Sequence, residues 1–149
     1  MSETQIRISH RHERTIQAPI EDVWRTLTDS DDVRCHFYDS GMDSSLMPGA
    51  ALRYVTEDGV VTVEGVVEEV DEPHRLVHSF AVTAEGDAAA ASDAPSRVTW
   101  ALEPSDEGTH VLLVHDGFAG RTATWRYVED AWEQILDGLS ELDADEDDD

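Results

Sequence analysis

The chain has 149 residues, of which 34 are acidic and 10 basic, so its formal net charge is −24. A surface this acidic repels phosphate backbones and anionic lipids, which argues against binding to nucleic acid or to a membrane surface. The length suits one domain with a real hydrophobic core. Cys35 is the single cysteine, so no intrachain disulfide is possible and we expect a reducing, cytoplasmic setting. Residues 143–149 are almost all acidic and predict a disordered tail.

A strand followed by two short helices is predicted near the N-terminus. Residues 5–17 alternate imperfectly between apolar and polar side chains, which favours a strand. Pro19 suits the first position of a helix over about 19–28, because its ring presets φ and its missing N–H needs no partner there. The acidic residues after that helix offer N-caps for a second short helix near 31–38. Residues 39–50 contain two glycines and a proline and predict a loop.

The middle of the chain predicts an antiparallel sheet. Asp58-Gly59 is the signal of a tight hairpin, and Gly65 inside a long strand indicates a bulge or a bend. Residues 84–96 are rich in alanine and predict a flexible surface connection. Because consecutive strands joined by short turns must pair antiparallel, one such sheet is expected from the strands predicted over 51–56, 60–70, 75–83, 97–103 and 109–118.

One long amphipathic helix is predicted over about 121–142. Its apolar residues recur at spacings of three and four and form one wide face: Trp125, Val128, Trp132, Ile135, Leu136, Leu139 and Leu142. A long antiparallel sheet accompanied by one such helix most simply curves around it. This arrangement leaves space for a cavity between the sheet and the helix.

Several short motifs, in their order and spacing, make the chain resemble a known family. They are Ala18-Pro19 with Glu21, Val23 and Trp24; Leu27-Thr28-Asp29; Gly65-Val66-Val67-Glu68 with Pro73 and Leu76; Val98-Thr99-Trp100; Gly108-Thr109; His115-Asp116-Gly117-Phe118; and Trp132 with Leu136 and Leu139. The sequence is similar to the START-like (SRPBCC, birch-pollen-allergen-like) superfamily. Within it, the chain resembles the branch named after the C-terminal domain of the activator of the heat-shock protein 90 ATPase.

The resemblance implies a single START-like domain over residues 1–142, followed by the acidic tail 143–149. It implies an α+β helix-grip fold. In this fold a curved antiparallel sheet wraps around a long C-terminal helix, with two short helices after the first strand. It also implies that a small hydrophobic molecule is held between the sheet and that helix.

The histidines do not predict a metal site. His10 and His12 share a strand face, but no third ligand follows at a recognised spacing. His115 and Asp116 are adjacent on a strand and therefore point to opposite faces, so they are not a catalytic pair. The sequence predicts no metal, no cofactor and no assigned catalytic residue.

His78 and a set of aromatic residues are the candidates for a ligand site. His78 shares a strand face with Leu76, Phe80 and Val82, and a histidine on an inward face is able to bond a polar group of a ligand. The alternative is a core histidine bonded to a neighbouring hydroxyl or carbonyl group. Ligand pockets are mostly apolar and aromatic with a few polar groups. The predicted lining is Tyr54, His78, Phe80, Trp100 and Trp125.

Three functions remain open from the sequence. The first is a binding protein for a small hydrophobic molecule. The second is an enzyme of the polyketide cyclase or aromatase kind, with His78 as general acid or base. The third is a protein-interaction module that acts on a chaperone or another cytosolic protein through its acidic surface. An open cavity of roughly a few hundred Å³ favours the first two, whereas a filled core favours the third.

Overall fold

A seven-stranded antiparallel sheet is the framework of the molecule. The structure, a computed structural model, describes residues 9–29, 40–118, 120 and 122–142. The second short helix predicted near 31–38 and the tail 143–149 lie outside these residues. The strands are β1 His10–Ile16, β2 Gly41–Ser44, β3 Ala51–Val55, β4 Val61–Asp71, β5 Arg75–Val82, β6 Ser96–Ser105 and β7 Gly108–Asp116.

The strands lie side by side in the order β1-β7-β6-β5-β4-β3-β2, and every neighbouring pair is antiparallel. The described helices are α1 Ile20–Thr28, α2 Ala123–Val128 and α3 Ala131–Ser140. The predicted helix-grip α+β fold is confirmed. None of the helices within the described ranges combines the length and the apolar character needed to cross a membrane.

One face of the sheet, called the helix side below, packs against α3 and carries much of the core. Trp132 of α3 contacts Trp100 of β6 and Phe80 of β5, with ring centroids 5.9 Å apart in both pairs. Alternation along the strands places their buried residues on this side. On β5 to β7 these residues are Leu76, His78, Phe80 and Val82; Ser96, Val98, Trp100 and Leu102; and Thr109, Val111, Leu113 and His115.

Helix α1 begins one residue later than the sequence predicts. Pro19 is the N-cap, with φ −61° and ψ 151°, rather than the first helical residue. Its φ fits a helix, but its extended ψ keeps it outside the first turn. The Pro19 carbonyl accepts from the N–H groups of Asp22 at 3.0 Å and Val23 at 3.1 Å. Val23, Trp24 and Leu27 are buried, so the predicted apolar stripe of this helix is present.

The single helix predicted over 121–142 is two helices in the structure. The break lies at Glu129 and Asp130, where the N–H of Glu129 bonds the carbonyl of Arg126, three residues back, at 3.3 Å. This bond tightens the last turn of α2 and interrupts the regular ladder of bonds four residues apart. The apolar pattern continues across the break, because Val128, Ala131 and Trp132 are all buried. Periodicity therefore did not reveal it.

Strand β2 lies in the segment 39–50 that the sequence predicts as a loop. It is four residues long and pairs with β3 from Gly41 opposite Val55 to Ser44 opposite Leu52. The Ser44 hydroxyl donates to the carbonyl of Ala51 at 2.7 Å, which closes the pair. A strand this short has too few residues to show an alternating pattern, so pairing with β3 decides its conformation.

The connection between β5 and β6 is anchored rather than freely exposed. It contains a short 3-10 helix, Ala90–Ser92, whose first residue is buried. The carboxylate of Asp93 accepts from both the N–H and the hydroxyl of Thr124, each at 2.8 Å. The loop predicted as a flexible surface connection is therefore tied to the start of α2.

Candidate functional site

Four of the five predicted lining residues lie together in the core, and the fifth lies apart. Tyr54, His78, Phe80 and Trp100 are at most 1% exposed. Trp125 of α2 is half-buried and stacks on His10 at the edge strand β1, with ring centroids 4.7 Å apart. The four core side chains are thus closed to solvent. Their role as ligand contacts, like that of Trp125, stays a prediction.

Three histidines lie in one row across the helix side of the sheet. In the strand register His10 is opposite His115, His115 is opposite Val98, and Val98 is opposite His78. Residues that are directly opposite in antiparallel strands place their side chains on the same face. Sequence reasoning singled out only His78 from this row.

His115 is the centre of a buried hydrogen-bond chain that defines its tautomer. The indole N–H of Trp132 lies 3.1 Å from His115 Nδ1, and an indole nitrogen only donates. Nδ1 is therefore unprotonated, and the proton of the neutral ring is on Nε2. That N–H donates to the Ser96 hydroxyl at 2.7 Å, and the hydroxyl donates to the carbonyl of Phe80 at 3.3 Å.

The surroundings of His115 keep its ring neutral. Burial lowers the pKa of His115 well below its usual value, with further contributions from His78 and His10. A proton added to Nδ1 would face the N–H of Trp132, so the hydrogen bond also opposes protonation. Aromatic rings pack around the imidazole, with Phe80 at 4.7 Å and Phe118 at 4.5 Å between centroids. His115 therefore has a structural role at neutral pH.

Removing the hydroxyl in this chain is expected to destabilise the fold. Ser96→Ala leaves the buried His115 Nε2–H without its acceptor, which costs about 1–3 kcal/mol in free energy of unfolding. Urea unfolding measures the change. Ser105→Ala, in the exposed end of β6, is the matched control and is expected to change stability by less than about 0.5 kcal/mol. Equal stability of the two variants would contradict the assigned chain.

His78 is buried in the same row, but only one of its two ring nitrogens has a hydrogen-bond partner among the described residues. Its Nδ1 lies 2.8 Å from the carbonyl of Ser79. A carbonyl only accepts, so Nδ1 carries the proton and Nε2 presents a bare lone pair. Burial lowers the pKa of His78 to about 4, against smaller opposing effects from the Ser79 hydrogen bond and from Glu68. Nε2 is buried and has no hydrogen-bond partner among the described residues.

Trp100 carries a second buried polar atom without a partner. Its indole N–H is enclosed on the helix side and donates to no acceptor in the part of the chain that the structure describes. Its ring packs edge to face against Trp132. In the strand register Trp100 is opposite Leu76, and Val98 is opposite His78. Trp100 and His78 are therefore diagonal neighbours on one face, one offering a donor and the other an acceptor.

Two histidines of the edge strand β1 are also partly or fully buried. His10 is 9% exposed, and its Nε2–H donates to the carbonyl of Trp125 at 3.1 Å. His12 is half-buried, and its Nε2 has no hydrogen-bond partner. Burial is the main cause that lowers the pKa of His12. Among the described residues, no three side chains of the metal-binding kinds form a metal site.

A surface pocket of about 570 Å³ lies beside α1. It is formed by one face of α1, including Trp24 and Arg25, and by the turn at Glu72 and Pro73. None of the five predicted lining residues belongs to it. Its walls mix both signs of charge with a few apolar groups and hold no buried polar atom without a partner among those described. We therefore place the candidate site at His78 and Trp100.

Three residues of the buried hydrogen-bond chain were not among the site residues predicted from the sequence. They are Ser96, His115 and Trp132. His115 follows Val111 and Leu113 at alternate positions of β7, which was a signal for its burial. Trp132 was predicted, as part of the apolar stripe, to lie in the core. No sequence spacing joins the three, because they meet only through strand register and helix packing.

Solved structures share this fold. Protein MLL2253 of Mesorhizobium loti superposes with a TM-score of 0.72 at 24% identity, covering 90% of this chain and 95% of that one. CalU16 of Micromonospora echinospora gives 0.61 at 22% identity, with coverages of 93% and 76%. The Aha1 dimer of Colwellia psychrerythraea gives 0.66 at 15% identity, with coverages of 89% and 92%. At these identities the likeness concerns the fold alone.

Comparison of sequences identifies the family. None of the curated proteins compared with the chain matches it. Residues 17–143 match the model of the family described as Activator of Hsp90 ATPase homolog 1-like protein. The match spans strands β2 to β7, the described helices and the candidate site. The chain therefore belongs to the Activator of Hsp90 ATPase homolog 1-like family.

Proposed function

We propose that the protein binds a small, mainly apolar molecule on the helix side of its sheet. The observation that carries this proposal is the pair of buried polar atoms without partners, His78 Nε2 and Trp100 Nε1. Buried polar groups are nearly always hydrogen-bonded, and each unsatisfied one costs about 1–3 kcal/mol. A core that served only packing would be more stable with apolar side chains at both positions.

The rest of this face suits an apolar ligand. Phe80, Trp100 and Trp132 form a cluster of aromatic rings, and aliphatic side chains of the core surround it. Sites for small molecules combine such apolar walls with a few polar atoms that orient the ligand. The two unpartnered atoms provide the polar component.

A closed core by itself favours the protein-interaction alternative, and the two unpartnered atoms are what favour binding. Entry of a ligand requires movement of the side chains that now close the site. His78 and Trp100 have no exposed surface, and Trp132 packs against the Trp100 ring. Trp132 is also hydrogen-bonded to His115, so opening at this side chain breaks that bond. Association is therefore expected to be slower than for a preformed open pocket.

The same geometry favours binding over acid–base catalysis. A general base works best when its pKa is near the working pH, whereas burial lowers the pKa of His78 to about 4. His78 Nε2 also has no titratable group within hydrogen-bond reach among the described residues. The cyclase-like alternative with His78 as acid or base therefore has less support than the binding function.

A ligand screen tests the proposal. Lipids, flavonoids and polyketides are added to the purified protein, and the melting temperature and the native mass are measured. A ligand present at about 100 times its Kd is expected to stabilise the fold by about 2.7 kcal/mol and to appear as a one-to-one complex. Sugars of similar mass serve as controls. The absence of any shift or complex with every apolar compound would contradict the proposal and favour the protein-interaction alternative.

A further inference from the structure

Resting on the proposed binding function, we infer that the ligand carries a neutral hydroxyl group that bridges His78 and Trp100. Its O–H donates to His78 Nε2, and its oxygen accepts from the indole N–H of Trp100. The site thus selects alcohols and phenols with an apolar body. The inference concerns which polar group is selected, and it does not depend on the identity of that body.

The hydrogen-bonding character of both protein atoms is fixed by their surroundings. The Ser79 carbonyl holds the proton of His78 on Nδ1, so Nε2 is an acceptor. The burial that lowers the pKa of His78 to about 4 keeps this nitrogen unprotonated at neutral pH. The indole nitrogen of Trp100 is a donor in every state of the protein. The pair therefore demands one group that both donates and accepts.

The strand register allows the side chains of His78 and Trp100 to approach a common group. His78 is opposite Val98 and Trp100 is opposite Leu76, so the two side chains are diagonal neighbours on the helix side. Diagonal neighbours are about 7–8 Å apart at the backbone, within reach of long side chains. One oxygen with two hydrogen bonds of about 2.8 Å joins atoms up to about 5–6 Å apart.

Polar groups that only donate or only accept satisfy at most one of the two atoms. An ether, an ester or a ketone accepts from Trp100 but leaves His78 Nε2 without a donor. An ammonium group donates to His78 but faces the N–H of Trp100. A carboxylate accepts only, and its negative charge would be buried next to the lone pair of His78, while Arg14 on this face already pairs with Asp137. A hydroxyl satisfies both atoms without adding charge.

A matched set of naphthalenes tests the inference. The probes are 2-naphthol, 2-methoxynaphthalene, naphthalene and 2-naphthoate, and calorimetry measures their affinities for the full chain at neutral pH. We expect 2-naphthol to bind about tenfold more tightly than 2-methoxynaphthalene or naphthalene, since each added hydrogen bond is modest. We expect 2-naphthoate to bind most weakly. In NMR, the nitrogen signal of His78 Nε2 is expected to shift most with 2-naphthol, because the other three probes have no O–H to donate to it.

Two variants separate the hydroxyl contact from the rest of the site. His78→Phe removes the acceptor and is expected to reduce the affinity for 2-naphthol to that for 2-methoxynaphthalene, with naphthalene binding little changed. His110→Phe is the matched control, because His110 is half-exposed on the opposite face of β7. It is expected to keep the tenfold preference.

The outcomes distinguish this inference from the proposed function. Equal binding of 2-naphthol and 2-methoxynaphthalene to the unmodified protein would overturn the inference while the binding function stands. In that case, a bound water molecule makes the hydrogen bonds to His78 and Trp100, and the ligand does not displace it. A preference that survives His78→Phe would also overturn it. Failure of every naphthalene to bind would contradict both. The wild-type affinities and the His78 Nε2 signal decide even when a variant does not fold.

Discussion

Lowering the pH from 7 to 5 is expected to destabilise the protein by about 2 kcal/mol through His78 alone. Burial lowers the pKa of His78 from 6.5 to about 4 in the folded protein, whereas the unfolded chain retains the ordinary value. Between these two values the unfolded state binds more protons than the folded state. Stability is therefore fully present above about pH 6.5 and declines as the pH falls toward 4.

His115 adds to this loss in the same direction, because burial also lowers its pKa well below the usual value. A competing effect comes from the carboxylates. Their neutralisation in acid reduces repulsion in a chain of net charge −24. Since that effect acts on the protein and on its histidine variants alike, comparison of their slopes isolates the histidines.

Urea unfolding at pH 7, 6 and 5 measures the effect. His78→Phe is expected to reduce the dependence of unfolding free energy on pH by about one proton, or about 1.4 kcal/mol per pH unit. His74→Gln, which removes a histidine from an exposed turn, is the control and is expected to retain the slope of the unmodified protein. Identical slopes for all three proteins would show that His78 is not a buried neutral histidine.

Gly65→Ala is expected to cost about 3 kcal/mol of stability, because no side chain fits at that point of the sheet. A Cβ atom at Gly65 would overlap the backbone carbonyl of Ser79 on the neighbouring strand β5. The obstacle is backbone, so it cannot swing aside as a side chain can. The N–H of Val66 also bonds the Ser79 hydroxyl at 2.9 Å, which holds the two strands together here.

Gly120→Ala is the matched control, since a Cβ there meets no atom of the described residues within 4 Å. It is expected to change the unfolding free energy by less than about 0.5 kcal/mol. Thermal and urea unfolding of both variants measure the difference. A loss below about 1 kcal/mol for Gly65→Ala would mean that the strands separate easily at this position.

At Gly65 the sequence pattern predicted only part of what the structure shows. A glycine inside a long strand predicted a bulge or a bend. The register between β4 and β5 does shift, but between Val67 and Glu69, slightly further along the chain. The glycine itself is required by the close approach of the neighbouring backbone, and a sequence cannot show which strand lies beside it.

Strands with clear alternation were predictable in position and in face. Val98, Trp100 and Leu102 of β6 alternate with polar residues and are buried as predicted. The same reasoning placed His78 and Phe80 of β5 on the inward face, where they lie. A two-residue period is a local property, so it is visible without knowledge of the partner strands.

The hydrogen-bond state of the candidate site was not predictable in this way. Ser96, His115 and Trp132 are far apart in the sequence and meet because β6 pairs with β7 while α3 packs across both. The same packing moves Trp125 away from the other predicted lining residues, onto His10 of the edge strand. The break after Val128 separates the helix into two parts, and the apolar spacing gave no sign of it.

The sequence by itself determined the α+β class, the antiparallel sheet, the apolar stripe of the C-terminal segment and the inward direction of His78. These follow from local periodicity, turn residues and short motifs. Only the tertiary structure decided which buried polar atoms have partners. Both ring nitrogens of His115 have hydrogen-bond partners, Ser96 and Trp132. His78 Nε2 and Trp100 Nε1 have none among the described residues. The physical reason is that a hydrogen bond depends on distances of a few tenths of an ångström between distant parts of the chain, and only packing sets those distances.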